Sequence, residues 1–220
     1  MKVSHLMIGL LSLVLFSRAE LATAQATAEI IATTGPEKKD PPSEPVSVEN
    51  GKAALTPKNT TIQFVGLHTG DEPKPRTGYF SKFKGEFAID KRTNIPTAAN
   101  VEIETKSLIT PIGRLTSHLQ SPDFFNVKQF PKASFKATKF EATDAPAGKY
   151  KVTGDLTIRD VKKPISFPAV VKVTDKGAVL ASQFKLKRSE FGITFGPDRI
   201  EEEVTMTITV GKPTPKVDVE

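Results

Sequence analysis

The stretch YKVTGDLTI, residues 150 to 158, alternates apolar and polar side chains with a period of two. Tyr150, Val152, Leu156 and Ile158 fall on one side of an extended chain, and lysine, threonine and aspartate fall on the other. Successive side chains of a β-strand point to opposite faces, so this stretch predicts a strand with one buried face. Half-buried strands of this kind are typical of antiparallel sheets.

The same alternation recurs along most of the chain. It is found in TIQFVGL (61–67), FKGEFAI (83–89), VEIETKS (101–107), ASFKATKF (133–140), FPAVVKV (167–173), FKLKR (184–188) and VTMTITV (204–210). Turn signals such as RDVKKP (159–164) and TDKG (174–177) separate these stretches. We therefore predict an all-β domain of about eight antiparallel strands. The alternation leaves a sandwich and a barrel as alternatives, although closure into a barrel would remove both sheet edges.

Between residues 108 and 132 the apolar period changes to that of a helix. The positions that carry this spacing are Leu108, Ile112, Leu115 and Leu119. Ser121 and Pro122 are expected to end the helix, and the serine is expected to cap a new short turn. We predict a short helical connection around residues 111–126, whose aromatic side chains fold onto one end of the sheet.

The first 26 residues resemble a secretory signal peptide. An apolar run from Leu6 to Phe16 follows Met1 and Lys2, and small residues allow cleavage after Ala24 or Ala26. The alternative is an uncleaved anchor, but the run is too short to span a bilayer as a helix. We expect a periplasmic or secreted protein.

The remaining chain is predicted to have three parts. Residues 27–50 include the stretch GPEKKDPPSEP, whose proline and charge content is typical of an extended tether. Residues 51–211 carry the alternating stretches and form the domain. Residues 212–220 are expected to be a flexible tail.

Composition excludes several kinds of protein. The chain has 220 residues, no cysteine and a formal net charge of +6, with lysines scattered singly rather than gathered in one stripe. Disulfides are therefore excluded, and nucleic acid is not an expected partner. Of the three histidines, His5 lies in the signal, so a zinc site and a catalytic His118 are both disfavoured. Glu201 to Glu203 are expected to lie at a solvated hairpin end, and we predict no enzyme activity.

Four motifs are similar to those of a known family. They are GYFSKFKGEF (78–87), HLQSPDFFNVKQFPKASF (118–135), VTGDLTIRDVKKPISFPAVV (152–171) and the pair KLKRSEFGITFG (185–196) and EEEVTMTITV (201–210). In this order they resemble the YceI-like polyisoprenoid-binding family, and the resemblance covers roughly Ala54 to Val210. It implies an extended eight-stranded antiparallel barrel of lipocalin or streptavidin type, with an apolar interior that takes an isoprenoid tail.

The resemblance implies a protein that binds a polyprenyl phosphate, a quinone or a similar lipid for transport, storage or protection. No cofactor is expected besides that lipid. The expected partners are the lipid itself and, transiently, a membrane. The protein is expected to be a monomer or a homodimer. The pocket candidates are Phe64, Phe83, Phe87, Phe124, Phe125, Phe130, Phe135, Tyr150, Val152, Leu156, Ile158, Phe167, Phe184, Leu186, Phe191, Met206 and Ile208. The head-group candidates are Arg114, His118 and Arg188.

Two alternatives stay open at this point. An eight-stranded barrel has an interior just wide enough either to be filled or to hold one small ligand. A filled barrel would act through its surface, as an interaction or stress-response module. The stretch HTGDEPKPRTG (68–78) is longer and more charged than the matching segment of many family members, and it is expected to change the first hairpin or the choice of lipid.

Overall fold

The computed structural model describes residues 44–70, 73–143 and 148–220. The predicted signal peptide and most of the predicted tether lie outside the described residues. The described residues form eleven strands: β1 (Lys52–Leu55), β2 (Thr60–Leu67), β3 (Pro75–Phe80), β4 (Phe83–Ile89), β5 (Pro96–Glu104), β6 (Leu108–Ile109), β7 (Lys132–Ala142), β8 (Lys149–Ile158), β9 (Val161–Thr174), β10 (Gly177–Lys187) and β11 (Glu203–Val210). One α-helix, α1, spans Gly113–Gln120, and 3₁₀ turns span Thr105–Ser107 and Arg188–Phe191.

The strands form a single antiparallel sheet in the order β1-β4-β5-β7-β8-β9-β10-β11-β2-β3-β6. Phe87 of β4, Val152 of β8 and Val210 of β11 belong to one buried cluster, although other strands separate them in the sheet. The sheet is therefore curled, so that its inner face wraps around a common interior. This arrangement confirms the predicted all-β, antiparallel, barrel-like class with one short helical connection.

The predicted number of strands is wrong, because β1, β3 and β6 are additional. Strands β1 and β6 have only four and two residues, too few to show alternation. Strand β3 has the sequence PRTGYF and begins inside the stretch that the sequence analysis treats as a charged connection. The inward position Gly78 carries no side chain, which removes the apolar signal from the middle of this strand.

Helix α1 lies within the predicted connection but is shorter than the apolar spacing suggests. It ends at Gln120, next to Ser121 and Pro122 as predicted. Leu108 belongs instead to β6, where it is fully buried, and Ile112 precedes the helix and is 40% exposed. The hydroxyl of Ser121 is buried and has no hydrogen-bond partner among the described atoms, so its predicted role as a cap is wrong.

Two segments that the sequence analysis places outside the domain make hydrogen bonds to it. The N–H of Val46 donates to Ala178 O at 2.9 Å, and Val46 is buried. In the tail, Thr214 N donates to Pro57 O at 2.8 Å, and Glu220 N donates to Pro111 O at 2.9 Å. Chain on both sides of the predicted domain, residues 51–211, therefore forms hydrogen bonds with it.

The ladder between β9 and β10 covers only part of β9. The ladder between these strands runs from Gly177 and Thr174 to Ala181 and Val170, and the rest of β9 pairs with β8 alone. Pro164 and Pro168 lie in that remaining part. Proline lacks an N–H and is tolerated where a strand has a neighbour on one side only.

Candidate functional site

The inner face of the curled sheet surrounds a cavity of about 250 Å³. Alternate residues of the longer strands face it, as β11 illustrates. Val204, Met206, Ile208 and Val210 all line the cavity, and six residue steps separate the first from the last. At about 3.3 Å per residue the apolar wall is therefore roughly 20 Å long.

Most of the predicted pocket residues line this cavity. They are Phe64, Phe87, Phe124, Phe125, Phe135, Val152, Leu156, Ile158, Phe167, Phe184, Leu186, Phe191, Met206 and Ile208. The period-two pattern places the strand residues there because the inward face of each strand is its apolar face. Phe124 and Phe125 come from the turn after α1.

Three predicted pocket residues do not line the cavity. Phe83, the first residue of β4, is buried in a cluster with Ile103 and Leu108, and Phe83 itself is absent from the lining. Tyr150 packs against the core cluster that contains Val152 without reaching the cavity. Phe130 lies in the loop before β7, where the guanidinium of Arg159 sits 5.6 Å from its ring centroid. An alternation with a period of two shows which face of a strand a residue is on. It does not show how far along the cavity the residue lies.

One end of the cavity, which we call the helix end, is where β8 ends, β11 begins and α1 lies. Aromatic contacts close much of it. Phe125 meets Phe80 edge to face at 5.8 Å, and Phe124 lies 5.4 Å from Phe195, measured between ring centroids. Leu115 of α1 also lines the cavity. The helical connection therefore covers this end, as the sequence analysis predicts.

Two of the three predicted head-group residues do not line the cavity. Arg114 is exposed on α1. The Nε2 atom of His118 lies 3.0 Å from Oδ2 of Asp123, and its ring meets Phe124 and Phe195 edge to face. His118 therefore links the helix to neighbouring loops rather than pointing inward. A separation of four residues places Arg114 and His118 on the same face of the helix, but it does not show whether that face points toward the cavity.

The third candidate, Arg188, lines the cavity but serves the main chain. It is 8% exposed and donates hydrogen bonds to the carbonyl oxygens of Ile193, Phe195, Ile200 and Glu201 at 2.8–3.0 Å. Burial lowers the pKa of Arg188, and the nearby carboxylate of Glu202 acts in the opposite direction. Four of its five N–H groups are used, so Arg188 chiefly organises the segment 193–201.

Sequence reasoning missed several residues of the lining. Phe140 and Phe135 both face the cavity, although they are five positions apart and would lie on opposite faces of a regular strand. A shift of register between Ala137 and Lys139 reverses the inward and outward alternation of β7 and explains why its pattern blurs. Arg76 and His68 were missed because the stretch 68–78 reads as a loop, whereas β3 begins at Pro75.

Metal ions in proteins are commonly held by sets of histidine, cysteine, aspartate or glutamate side chains. Among the residues that the structure describes, no group of three or more histidine, cysteine, aspartate or glutamate side chains is placed to hold a metal ion. Glu202 hydrogen-bonds Ser189, and Glu203 pairs with Lys185 at 2.8 Å, so these neighbouring glutamates serve different partners. In the same part of the chain, no helix has the length and apolar character needed to cross a bilayer.

Comparison with known proteins places the chain in a family. The UPF0312 protein plu2095 of Photorhabdus laumondii is 32% identical over 139 residues, which cover 60% of this chain and 71% of that protein. The crystal structure of BcnA from Burkholderia cenocepacia superposes with a TM-score of 0.61 at 22% identity, over 69% of this chain and 94% of that chain. A polyisoprenoid binding domain from Saccharophagus degradans superposes with a TM-score of 0.54 at 13% identity, over 76% of this chain and 100% of that chain.

At these identities the two solved structures show a shared fold. A family model described as the YceI-like domain matches residues 54–211 of this chain. The matched region contains α1, the strands β2 to β11 and the inward-facing residues that surround the cavity. The chain therefore belongs to the YceI-like domain family.

Proposed function

We propose that this protein binds the long apolar chain of an isoprenoid or similar lipid inside its cavity, for transport, storage or protection, without chemical turnover. The observation that carries this proposal is the cavity itself: about 250 Å³, enclosed by aromatic and aliphatic side chains along the inner face of the sheet. A barrel that acted through its surface alone would need no such space, because protein interiors are ordinarily close-packed.

The energetics favour an apolar guest. An engineered apolar cavity of about 150 Å³ stays dry and binds benzene, and this cavity is larger. Each CH₂ group removed from water contributes about 0.8 kcal/mol, so an unbranched or prenyl chain gains affinity without specific polar contacts. The gain is limited by the cost of ordering the flexible chain.

Relatives support the class of ligand. The chain shares its fold with the Saccharophagus degradans domain, which is described as polyisoprenoid binding. It also belongs to the YceI-like family. We propose an isoprenoid such as a polyprenyl phosphate or a quinone for the same reason, with transient membrane contact when the lipid enters or leaves.

We also propose that the protein works outside the cytoplasm. Support comes from the signal-like start, in which Leu6 to Phe16 form the apolar run and Ala24 and Ala26 precede suitable cleavage sites. N-terminal sequencing of the protein recovered from the periplasm or medium of its host would identify the cleaved bond. A chain that keeps Met1 and stays in the cytoplasm would contradict this part of the proposal.

A glycine in the cavity wall allows a direct test of lipid binding. A Cβ atom added at Gly66 would meet no atom within 4 Å, and Gly66 lines the cavity. We expect Gly66→Phe to fill this space and to weaken binding of a fluorescent prenyl probe at least tenfold. Val65→Phe, one residue away and absent from the lining, is the matched control and should bind as wild type does. Equal binding by all three proteins would overturn the proposed function.

A further inference from the structure

A charged side chain faces the cavity from β3, in line with apolar positions. Arg76 pairs with Gly66, and Gly78 pairs with Phe64, in the register of β2 and β3. Residues two apart on a strand share a face, so Arg76, Gly78 and Phe80 all point inward. Arg76 and Phe80 both line the cavity.

The neighbours of Arg76 mark where the apolar interior ends. A Cβ atom on Gly78 would collide with the ring of Phe64, so this ring occupies the space beside Gly78. One pair further along, a Cβ atom on Gly66 would meet nothing within 4 Å. Open space therefore lies opposite Arg76, just beyond the layer formed by Phe64.

This position is at the helix end. Strand β2 ends at Leu67 and β11 begins at Glu203, and the two strands are antiparallel. The segment that follows Arg188 joins the same end, because Glu201 N donates to Leu67 O at 2.9 Å. The two arginines that line the cavity therefore belong to one end of it, while the opposite end is formed by residues such as Leu55 and Val210.

The charge of Arg76 has no counter-charge in the described structure. Within residues 44–70, 73–143 and 148–220, no hydrogen bond or ion pair involves its guanidinium, and the cavity lining contains no aspartate or glutamate. Arg76 is only partly buried, so water still reaches its guanidinium, and an anionic group placed there would replace part of that hydration with charge-assisted hydrogen bonds. Arg188 differs, because its N–H groups already serve four carbonyl oxygens.

We propose that the cavity selects lipids with an anionic head group, a phosphate or a carboxylate, and that Arg76 binds this group in the open space opposite Gly66. The planar guanidinium offers two parallel N–H donors to two oxygen atoms of such a group. The inference rests on the proposed function, since it assumes that the apolar tail occupies the cavity. It assigns the head group to a residue other than Arg114, His118 or Arg188.

The test compares three lipids that share one apolar chain and differ in the polar head group. Binding constants are measured for geranylgeranyl phosphate, geranylgeranoic acid and geranylgeraniol, with the full mature protein at low salt. We expect wild type to bind one or both anionic ligands at least tenfold more tightly than the alcohol, as a charge-assisted pair provides. The phosphate and carboxylate results distinguish which head is preferred.

Variants assign the preference to a residue. Arg76→Gln should bring the anion-to-alcohol ratio within about twofold, chiefly by weakening the binding of the two anionic ligands. Arg76→Lys should keep part of the preference, and Arg114→Gln, at an exposed position outside the lining, should keep all of it. Thermal unfolding of each variant checks that the fold is intact.

The outcomes separate this inference from the function on which it rests. If wild type binds all three ligands equally, or if Arg76→Gln keeps the full preference for anions, the inference is overturned and lipid binding stands. If none of the three ligands binds to wild type, the proposed function itself fails and the inference falls with it.

Discussion

Phe167 and Phe184 stack face to face, with ring centroids 4.3 Å apart and an interplanar angle of 11°. They face each other across β9 and β10, beyond the point where the ladder between these strands ends at Val170 and Ala181. Both rings line the cavity. Packing of side chains thus takes over from main-chain hydrogen bonding at this part of the wall.

Removing one ring of this stack is expected to weaken the wall. For Phe184→Ala we predict a free energy of unfolding about 2 kcal/mol lower, less than for a fully buried phenylalanine because the ring is only partly buried. Urea denaturation measures the change. Gln183→Ala, on the exposed face of the same strand, is the control and should change stability little. Equal stability of both variants would mean that the stack contributes nothing.

Arg188 is expected to hold the segment 193–201 in place. In Arg188→Met the four carbonyl groups lose their donor, so the free energy of unfolding should fall by about 3 kcal/mol. Thermolysin should then cut within 193–201 faster than in wild type. Arg199→Met removes an exposed arginine of the same segment and should leave both measurements unchanged. A stable, protease-resistant Arg188→Met protein would contradict the assigned role.

The turn between β8 and β9 offers a stabilising change. Arg159 and Asp160 have φ values of 51° and 58°, the geometry of a two-residue hairpin turn that favours glycine. Asp160→Gly should therefore raise the free energy of unfolding by about 0.5 kcal/mol. Lys163→Gly, within β9, should lower it, because glycine weakens the interior of a strand. A melting temperature below that of wild type for Asp160→Gly would refute the expectation.

Asp90 gives stability a pH dependence. Its carboxylate accepts hydrogen bonds from the N–H groups of Arg92 and Thr93 and from the Thr93 hydroxyl, which lower its pKa below the ordinary value of 3.8. A lowered pKa in the folded state stabilises the protein above pH 3.8, and this contribution is lost as the pH falls through the folded pKa. The stability difference between wild type and Asp90→Ala should therefore shrink in acid. A difference that stays constant down to the acid transition would contradict this.

The sequence predicted the face of each strand better than the position of a residue along it. Phe83 and Tyr150, on strands, and Phe130, in the helical connection, were expected in the pocket, but none of the three belongs to the lining. The bulge of β7, between Ala137 and Lys139, likewise depends on pairing with β8. Local periodicity shows which face of a strand is buried, but it does not identify the bulge, which becomes visible only when β7 is paired with β8.

The charged residues were the hardest part of the site to predict. Arg114 and His118 share a helix face, but the contacts of His118 with Asp123 and Phe195 turn it away from the cavity. Arg76 lies in β3, which begins within a proline-rich and charged stretch that is typical of a loop. Its inward direction follows from the pairing of Gly78 with Phe64, which no inspection of one segment reveals.

The most direct measurement of the central claim is native mass spectrometry of the protein purified from its own host, before and after extraction with organic solvent. We expect an excess mass of one lipid with a long apolar chain, which extraction removes and which is reduced in Gly66→Phe but not in Val65→Phe. A protein that carries no extractable lipid, and whose emptied form takes up no prenyl ligand, would contradict the account.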